Sequence, residues 1–582
     1  MAILVWPEGV RGSAAGWRRP NPLTPISLAF GINWVYTDWM SATARAQAYP
    51  RSRMLPRVDV SRWSGSAWGA ISITATFIGI TCWWLTQDRS IPIFDAGDHL
   101  ATAIYFHEQL AMGHLLEPFN NTSQYPPLAH LVGALAMFIG GVNVSTPIIA
   151  ENIVFVSLLA LGCYQTGRLL FGSRAGLLAT IFVLGSPLLI AQFHVFMLDA
   201  PETALVAVSM WLLLASEDFS RVRVAAFAGL AIGCGLLVKV QFPFFLVGIV
   251  LVALARGGWR HWRGVAVLGA VALVIGAPWY IDHLSELSTI TKLAGTESGA
   301  VAGNQPPTLS VTNLLWYFWS TLNSQLFALM FALVLGGTLW TVLAVVRREE
   351  GRGPRLEFLV GGLVAWLAIS LTPHHDIRYD MPLMPYLAVI GTGWIVHLSR
   401  VPRLLTTGVL VVAVAANTLA STFGVGKPVE VKLVSSPPNT EAYPDRVVLY
   451  SNAGFLVAGP QRDGDVPGLL STLKNEGADV VVISLSQTEG TDFGLEGLFP
   501  LFMIAKMLPS IEPALLSTST AVVALIHQAI SRGLPPTCTT LSDGTGVWVL
   551  RLNPRSAKVE LYCPFHSPRY YSRASHSAPA RN

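Results

Sequence analysis

Asp95 and His99 stand four residues apart in "IPIFDAGDHLATAIYFHEQL" (91–110), a spacing that puts both on one face of a helix. Asp98 lies on a neighbouring face of the same stretch. Asp199 and Glu202 are three apart in "LDAPET" (198–203), Lys239 closes the apolar run "GLAIGCGLLVKV", and "PHHDIRYDMP" (373–382) gathers His374, His375, Arg378 and Tyr379. A carboxylate can take the proton of an attacking nucleophile. Lys and Arg can hold a phosphate, Arg as a bidentate fork. Two carboxylate clusters facing a cationic set therefore suit a reaction whose leaving group is anionic, and such a group needs charge stabilisation more than it needs an acid. Taken singly, each patch also reads as a solvated loop between apolar segments, and Lys239 as a side chain snorkelling to lipid headgroups.

What must position these residues is a bundle of membrane helices. The chain of 582 residues is 52% hydrophobic and only 12% charged, against about 25% charged in soluble domains. A span needs about 20 apolar residues. Segments near 67–86, 148–170, 175–195, 198–215, 223–238, 242–256, 264–281, 324–346, 356–372, 381–398 and 404–421 qualify as spans, which makes eleven. The run 127–141 has fifteen residues and is read as a helix on the membrane surface, with Pro126 and Pro127 at its first turn.

Arginine distribution sets the sidedness. Residues 1–66 hold eight Arg, lack the apolar core of a signal peptide, and read as a disordered cytoplasmic leader. With 127–141 laid flat, the groups Arg168/Arg174, Arg221/Arg223, Arg256/Arg260/Arg263, Arg347/Arg348/Arg352/Arg355 and Arg400/Arg403 all fall inside. The first outer loop (87–147) and the patches at 198–203, 239–243 and 373–382 then meet on the outer face. Ionisable groups at membrane depth are costly and usually functional. The expected fold is thus a polytopic α-helical membrane protein, with a transmembrane module over 67–421 and juxtamembrane helices in its first outer loop.

The layout resembles the C superfamily of polyprenol-phosphate-sugar-dependent membrane glycosyltransferases, which includes protein O-mannosyltransferases and lipid A aminoarabinose transferases. The stretches that carry the resemblance are "DAGDHLATA" (95–103), "GHLLEP" (113–118), "YPPLAHL" (125–131), "LDAPETAL" (198–205), "GLAIGCGLLVKVQFP" (229–243), "APWY" (277–280) and "RYDMPLMPYLAVI" (378–390), spread over residues 67–400. The resemblance implies sugar transfer from a polyprenyl-phosphate donor to a lipid, glycan or protein acceptor on the extracytoplasmic face of a bacterial inner membrane. It implies Asp95 as general base and Asp199 as the aspartate of the family's L-D-x-P stretch; Asp98, beside Asp95, is a further candidate catalytic carboxylate. Lys239, Arg378, Tyr379, His374 and His375 would lie at the donor phosphate, and His99, Tyr125 and Glu202 at the acceptor side of the loop. The chain departs from the family pattern at Ala96, where an acidic residue is usual, at His99, where an aromatic is usual, and at Gln124–Tyr125, where an acidic and a basic residue are usual. No metal set or cofactor motif is visible; a divalent cation and the donor sugar are left open. A transporter or flippase of lipid-linked sugars, or a non-catalytic membrane scaffold, are the alternative readings. The first would show internal repeats, and neither repeats nor mid-membrane polar pairs are evident.

After residue 421 the composition turns polar. "RVVLYS" (446–451), "ADVVVISL" (478–485) and "GVWVLRL" (546–552) read as strands, and 465–477 and 517–533 as helices, of a small α/β extracytoplasmic domain over 422–566. It has no catalytic constellation and reads as a cap or acceptor-docking module. The tail 567–582 reads as disordered. Cys538 and Cys563 form the only cysteine pair in this domain, and an oxidising compartment would join them in a disulfide, closing a loop worth about 3 kcal/mol.

Overall fold

The computed structural model describes residues 64–88, 94–120, 125–285, 287, 309–349, 351–372, 375–425, 480–484, 537–540 and 546–551. The described residues between 64 and 425 form helices joined by turns. The main helices are α1 (Gly65–Gln87), α2 (Phe94–Ala111), α3 (Leu128–Gly140), α4 (Ser145–Phe171), α5 (Ser173–Leu184), α6 (Pro187–Gln192), α7 (Asp199–Ala215), α8 (Val222–Leu236), α9 (Val247–Ala255), α10 (Trp262–Asp282), α11 (Val311–Ser320), α12 (Phe327–Val346), α13 (Arg352–Ser370), α14 (Met384–Gly393) and α15 (Arg400–Phe423). The protein is a polytopic helical membrane protein.

Among the described residues, six helical segments are long and apolar enough to cross a membrane: Gly65–Gln87, Ser145–Phe171, Gly258–Asp282, Asn313–Val346, Arg352–Ser370 and Arg400–Phe423. The other five segments read as spans are helical too, but shorter or interrupted. Interruption at membrane depth is tolerable where neighbouring protein satisfies the freed backbone. At the α5–α6 break, Ser186 Oγ donates to the Gln325 carbonyl at 2.7 Å, and Asn417 Nδ2 donates to the Gly185 carbonyl at 3.1 Å. Helix α3 has 13 residues. At 1.5 Å per residue it is about 20 Å long, too short for a hydrocarbon core of about 30 Å. It packs against α2 and leaves Leu135, Phe138 and Ile139 exposed, as a helix resting on a membrane surface would. One difference from the sequence reading lies at 311–320. This stretch belongs to the expected loop 282–323, yet it is helix α11, started by Ser310, whose side chain accepts from the Asn313 N–H at 3.1 Å. It runs through a π-helical turn (Thr321–Leu326) into α12.

Between apolar helices in lipid, packing rather than water exclusion drives association, so close backbone approach matters. A Cβ added at Gly162 of α4 would lie 2.5 Å from the Ala207 carbonyl carbon of α7. One at Gly229 of α8 would lie 2.4 Å from the Leu268 carbonyl oxygen of α10. These two contacts hold α7 and α8, the helices that lead to Asp199 and Lys239, against the rest of the bundle.

The polar C-terminal region contributes a three-stranded antiparallel sheet: β1 (Val480–Ser484), β2 (Thr537–Thr540) and β3 (Gly546–Arg551), in the order β1-β3-β2. The register pairs Val482 with Val549 and Cys538 with Trp548. Strands β1 and β3 fall where the β-branched runs predicted them. Strand β2, from "TCTT", was not foreseen, because four residues beside two prolines give little periodicity. The expected strand at 446–451, the helices at 465–477 and 517–533, the leader, the tail and the Cys538–Cys563 pairing lie outside the described residues. Cys82, Cys163 and Cys234 are free thiols in the helical region.

Replacing Gly162 by Val is expected to destabilise the protein by about 1–3 kcal/mol, because the contact atom is backbone and cannot yield. A thermal-unfolding midpoint in detergent equal to that of the parent would contradict this close-approach role.

Candidate active site

Arg378 is the hub of the site. The turn that carries it is closed by the Tyr379 N–H donating to the Asp376 carbonyl and the Met381 N–H donating to the Arg378 carbonyl, both at 3.1 Å. Asp376 grips Arg378 through three bonds: from the backbone N–H at 2.9 Å, from Nε at 3.1 Å and from Nη2 at 2.9 Å. This leaves Nη1, which donates to Asp95 Oδ2 at 2.9 Å. One guanidinium thus ties the start of α2 to the 375–380 turn across 283 positions of sequence. The side chain of Asp95 is 44% exposed, so it faces the solvent side of the site.

A second ion pair lies beside the first. Lys239 Nζ contacts Asp199 Oδ1 at 2.5 Å and lies 5.0 Å from the centre of the Tyr379 ring. Asp199 begins α7 and is buried; Lys239 follows the end of α8. Gln241 Nε2 donates to Glu202 Oε2 at 3.1 Å, which places Glu202 one turn deeper on the same helix as Asp199. Burial works against charge on Lys239, but Asp199 and Glu202 outweigh it and hold the ammonium charged above its usual range. Arg378 is likewise opposed by burial and held charged by Asp376, Asp199 and Asp95. Burial pushes the Tyr379 phenol up to about 12, against the pull of Lys239.

The loop between α2 and α3 is pinned under these groups. The Leu128 N–H donates to the Leu237 carbonyl at 2.9 Å, joining the start of α3 to the segment that bears Lys239. Tyr125 meets the His99 ring edge-on at 4.8 Å. His99 Nδ1 and His130 Nε2 are 3.1 Å apart, both rings buried. One ring must donate and the other accept, so the pair is neutral on at least one side. Burial, then His130, Lys239 and Arg378, hold the His99 imidazole well below its ordinary range; burial brings His130 down to about 4. This pair fixes α2, and hence Asp95 one turn before His99, against α3.

The structure therefore brings together Asp95, His99, Tyr125, Asp199, Glu202, Lys239, Arg378 and Tyr379 from the sequence-derived set. His375 is fully buried, with its ring centre 5.2 Å from those of Trp316 and Tyr317. His374 and the side chain of Asp98 lie outside the described residues. The sequence reading passed over Asp376 and His130, although both stand inside quoted stretches. An Asp two residues before an Arg in a Pro-flanked turn is a local clue to the first; no local signal marks the second. Among the described residues no group of three or more His, Cys, Asp and Glu side chains is set to hold a metal ion, so the divalent cation left open by the sequence has no residue set there.

Residues 124–281 match the family model described as dolichyl-phosphate-mannose-protein mannosyltransferase. The match takes in Tyr125, Asp199, Glu202 and Lys239 and stops short of Asp95 and Arg378. Similar solved structures include ArnT from Cupriavidus metallidurans in the apo state, with 16% identity, TM-score 0.47, and coverage of 83% of this chain and 98% of that one. The same protein bound to undecaprenyl phosphate gives 16% identity and TM-score 0.47, covering 62% of this chain and 65% of that one. The Archaeoglobus fulgidus oligosaccharyltransferase in complex with Zn and sulfate gives 13% identity and TM-score 0.40, covering 71% and 55%. Comparison with curated proteins gave no match.

The His99–His130 pair predicts a pH dependence. Both imidazoles have folded-state values below the unfolded one of about 6.5, so the unfolded chain binds more protons between the two. Their contribution to stability is full above pH 6.5 and is lost as pH falls toward about 4. The unfolding midpoint of the parent should drop across this window by more than that of His130→Gln; parallel pH profiles for the two would remove the pair from the account.

Proposed function

We propose that the protein is a membrane glycosyltransferase that moves a sugar from a polyprenyl-phosphate donor to an acceptor hydroxyl or amine on the extracytoplasmic face. The observation that carries this reading is the Asp95–Arg378–Asp376 chain beside Lys239–Asp199. It sets a solvent-facing carboxylate against two cations at the mouth of a helical membrane bundle. The family match and the motif order support the same reaction class.

Charge counting gives the order of events. Two cations, Lys239 and Arg378, face three carboxylates, Asp95, Asp199 and Asp376. An incoming phosphate must take the place of one carboxylate. Asp376 is held by three bonds and Asp199 is buried, whereas Asp95 holds Arg378 by one bond and is the most exposed of them. Asp95 is the partner that yields. The donor phosphate then sits on Arg378 Nη1 with Lys239 beside it. Released from Arg378, Asp95 is free to accept the proton of the acceptor as its oxygen or nitrogen attacks the anomeric carbon. The carbon–oxygen bond to the phosphate breaks, and the electron pair leaves on the polyprenyl phosphate, whose charge Arg378 and Lys239 hold. The donor thus unlocks its own base.

Purified protein incubated with a panel of radiolabelled polyprenyl-phosphate sugars should consume one of them. Asp95→Asn should lower turnover by about 10²–10⁴-fold, the usual worth of a general base, while binding undecaprenyl phosphate at least as well as the parent. Parent-like turnover by that variant would remove Asp95 as base; consumption of no sugar by the parent would remove the reaction class.

A further inference from the structure

Arg378 can serve as the hub only if the turn beneath it is immobile, and the groups that hold that turn have no role in the reaction described above. Asp380 is 1% exposed and accepts three side-chain bonds: from Ser320 Oγ at 3.2 Å, Thr321 Oγ1 at 2.9 Å and Gln325 Nε2 at 2.7 Å. Gln325 Nε2 also donates to the Ile377 carbonyl at 3.0 Å, so one amide grips both ends of the Ile377–Asp380 turn. The Gln325 carbonyl in turn accepts from Ser186 Oγ at 2.7 Å, at the break between α5 and α6. Ser320, Thr321 and Gln325 are all buried, and the last two belong to the π-helical turn between α11 and α12.

That turn is itself unusual. Single π turns inside α-helices occur often at functional sites. The residue after it, Phe327, has a φ of 55° and a ψ of 173°, a conformation that a bulky side chain adopts only when its surroundings impose it. Thr321 and Gln325, four apart, lie on one face of this segment and both reach the Asp380 carboxylate. A buried carboxylate without such donors would be costly. Here the donors come from three residues of one segment, and the segment is anchored to the core through Ser186.

We infer that Asp380 is a positioning residue for the anion-binding Arg378, locking the Ile377–Asp380 turn to the π-helical turn so that the guanidinium is held in place when Asp95 lets go of it. Asp376 fixes the orientation of the guanidinium from within the turn; Asp380 fixes the turn to the bundle. Without Asp380, Arg378 keeps its charge and its Asp376 contacts but loses its place relative to Lys239. The inference rests on the proposed role of Arg378 in holding the donor phosphate.

The test uses the full-length protein in nanodiscs with undecaprenyl phosphate as probe, titrated by tryptophan fluorescence. Asp380→Ala should weaken binding tenfold or more. Asp380→Asn, which keeps an acceptor oxygen for Gln325 and lets the two hydroxyls turn, should recover affinity to within about threefold of the parent. Thr321→Val removes one of the three donors at nearly constant volume and keeps the test valid should Asp380→Ala fail to fold; it should weaken binding severalfold. In an Arg378→Ala background, Thr321→Val and Asp380→Ala should add nothing, which a general loss of structure would not reproduce. Parent-like binding by folded Asp380→Ala or by Thr321→Val, or additive losses in the Arg378→Ala background, would overturn the inference. Absence of undecaprenyl phosphate binding by the parent would instead overturn the phosphate-holding role of Arg378.

Discussion

The Arg378 guanidinium is the single group on which the rest of the site depends. It joins three parts of the chain that the sequence keeps far apart: Asp95 on α2, Asp376 in its own turn and, through Tyr379, the Lys239–Asp199 pair. Each ion pair alone offers little net stability, because removing charge from water offsets the attraction gained. The network is better understood as a means of setting geometry. It holds two cations, each with its carboxylate, where the helices of an apolar bundle are interrupted, with one exposed carboxylate that can be exchanged for a substrate anion.

The fold serves that geometry by interruption. Helices that would otherwise cross without break stop at Gly185–Ser186, at Leu237–Gln241 and at Thr372–Met381, and each stop supplies a polar group to the site or to its support. Lys239 and Arg378 both sit at such stops, and Asp199 starts the helix after another. Freed backbone groups are satisfied locally, as at Ser186 with Gln325 and Asn417 with Gly185. The small residues Gly162 and Gly229 then bring the flanking helices close enough for side chains on different helices to meet.

Much of this was legible in the sequence, for identifiable reasons. Long apolar runs announced the bundle, and the run of fifteen residues read as lying flat is a helix of 13 residues. Ionisable residues in such a chain are few, so Asp95, Asp199, Lys239, Arg378 and Tyr379 stood out, and the structure sets them side by side. His375 stood out equally, yet it packs against Trp316 and Tyr317; residue type cannot reveal which way a turn faces. Helix α11 and the π-helical turn were hidden because the rule for spans looks at hydropathy, and a serine, a threonine and a glutamine facing one aspartate leave no mark on it. The pairing of His99 with His130 was equally silent, since their separation of 31 positions has no local period.

The exchange of partners at Arg378 is the centre of this account. It is read most directly from the experimentally determined structure of the full-length protein with undecaprenyl phosphate bound. The account predicts a phosphate oxygen within about 3 Å of Arg378. It also predicts that the distance from Arg378 Nη1 to Asp95 Oδ2, 2.9 Å without ligand, opens beyond the range of a hydrogen bond. A bound phosphate that leaves the Asp95–Arg378 pair intact, or that settles away from Arg378 and Lys239, would contradict it.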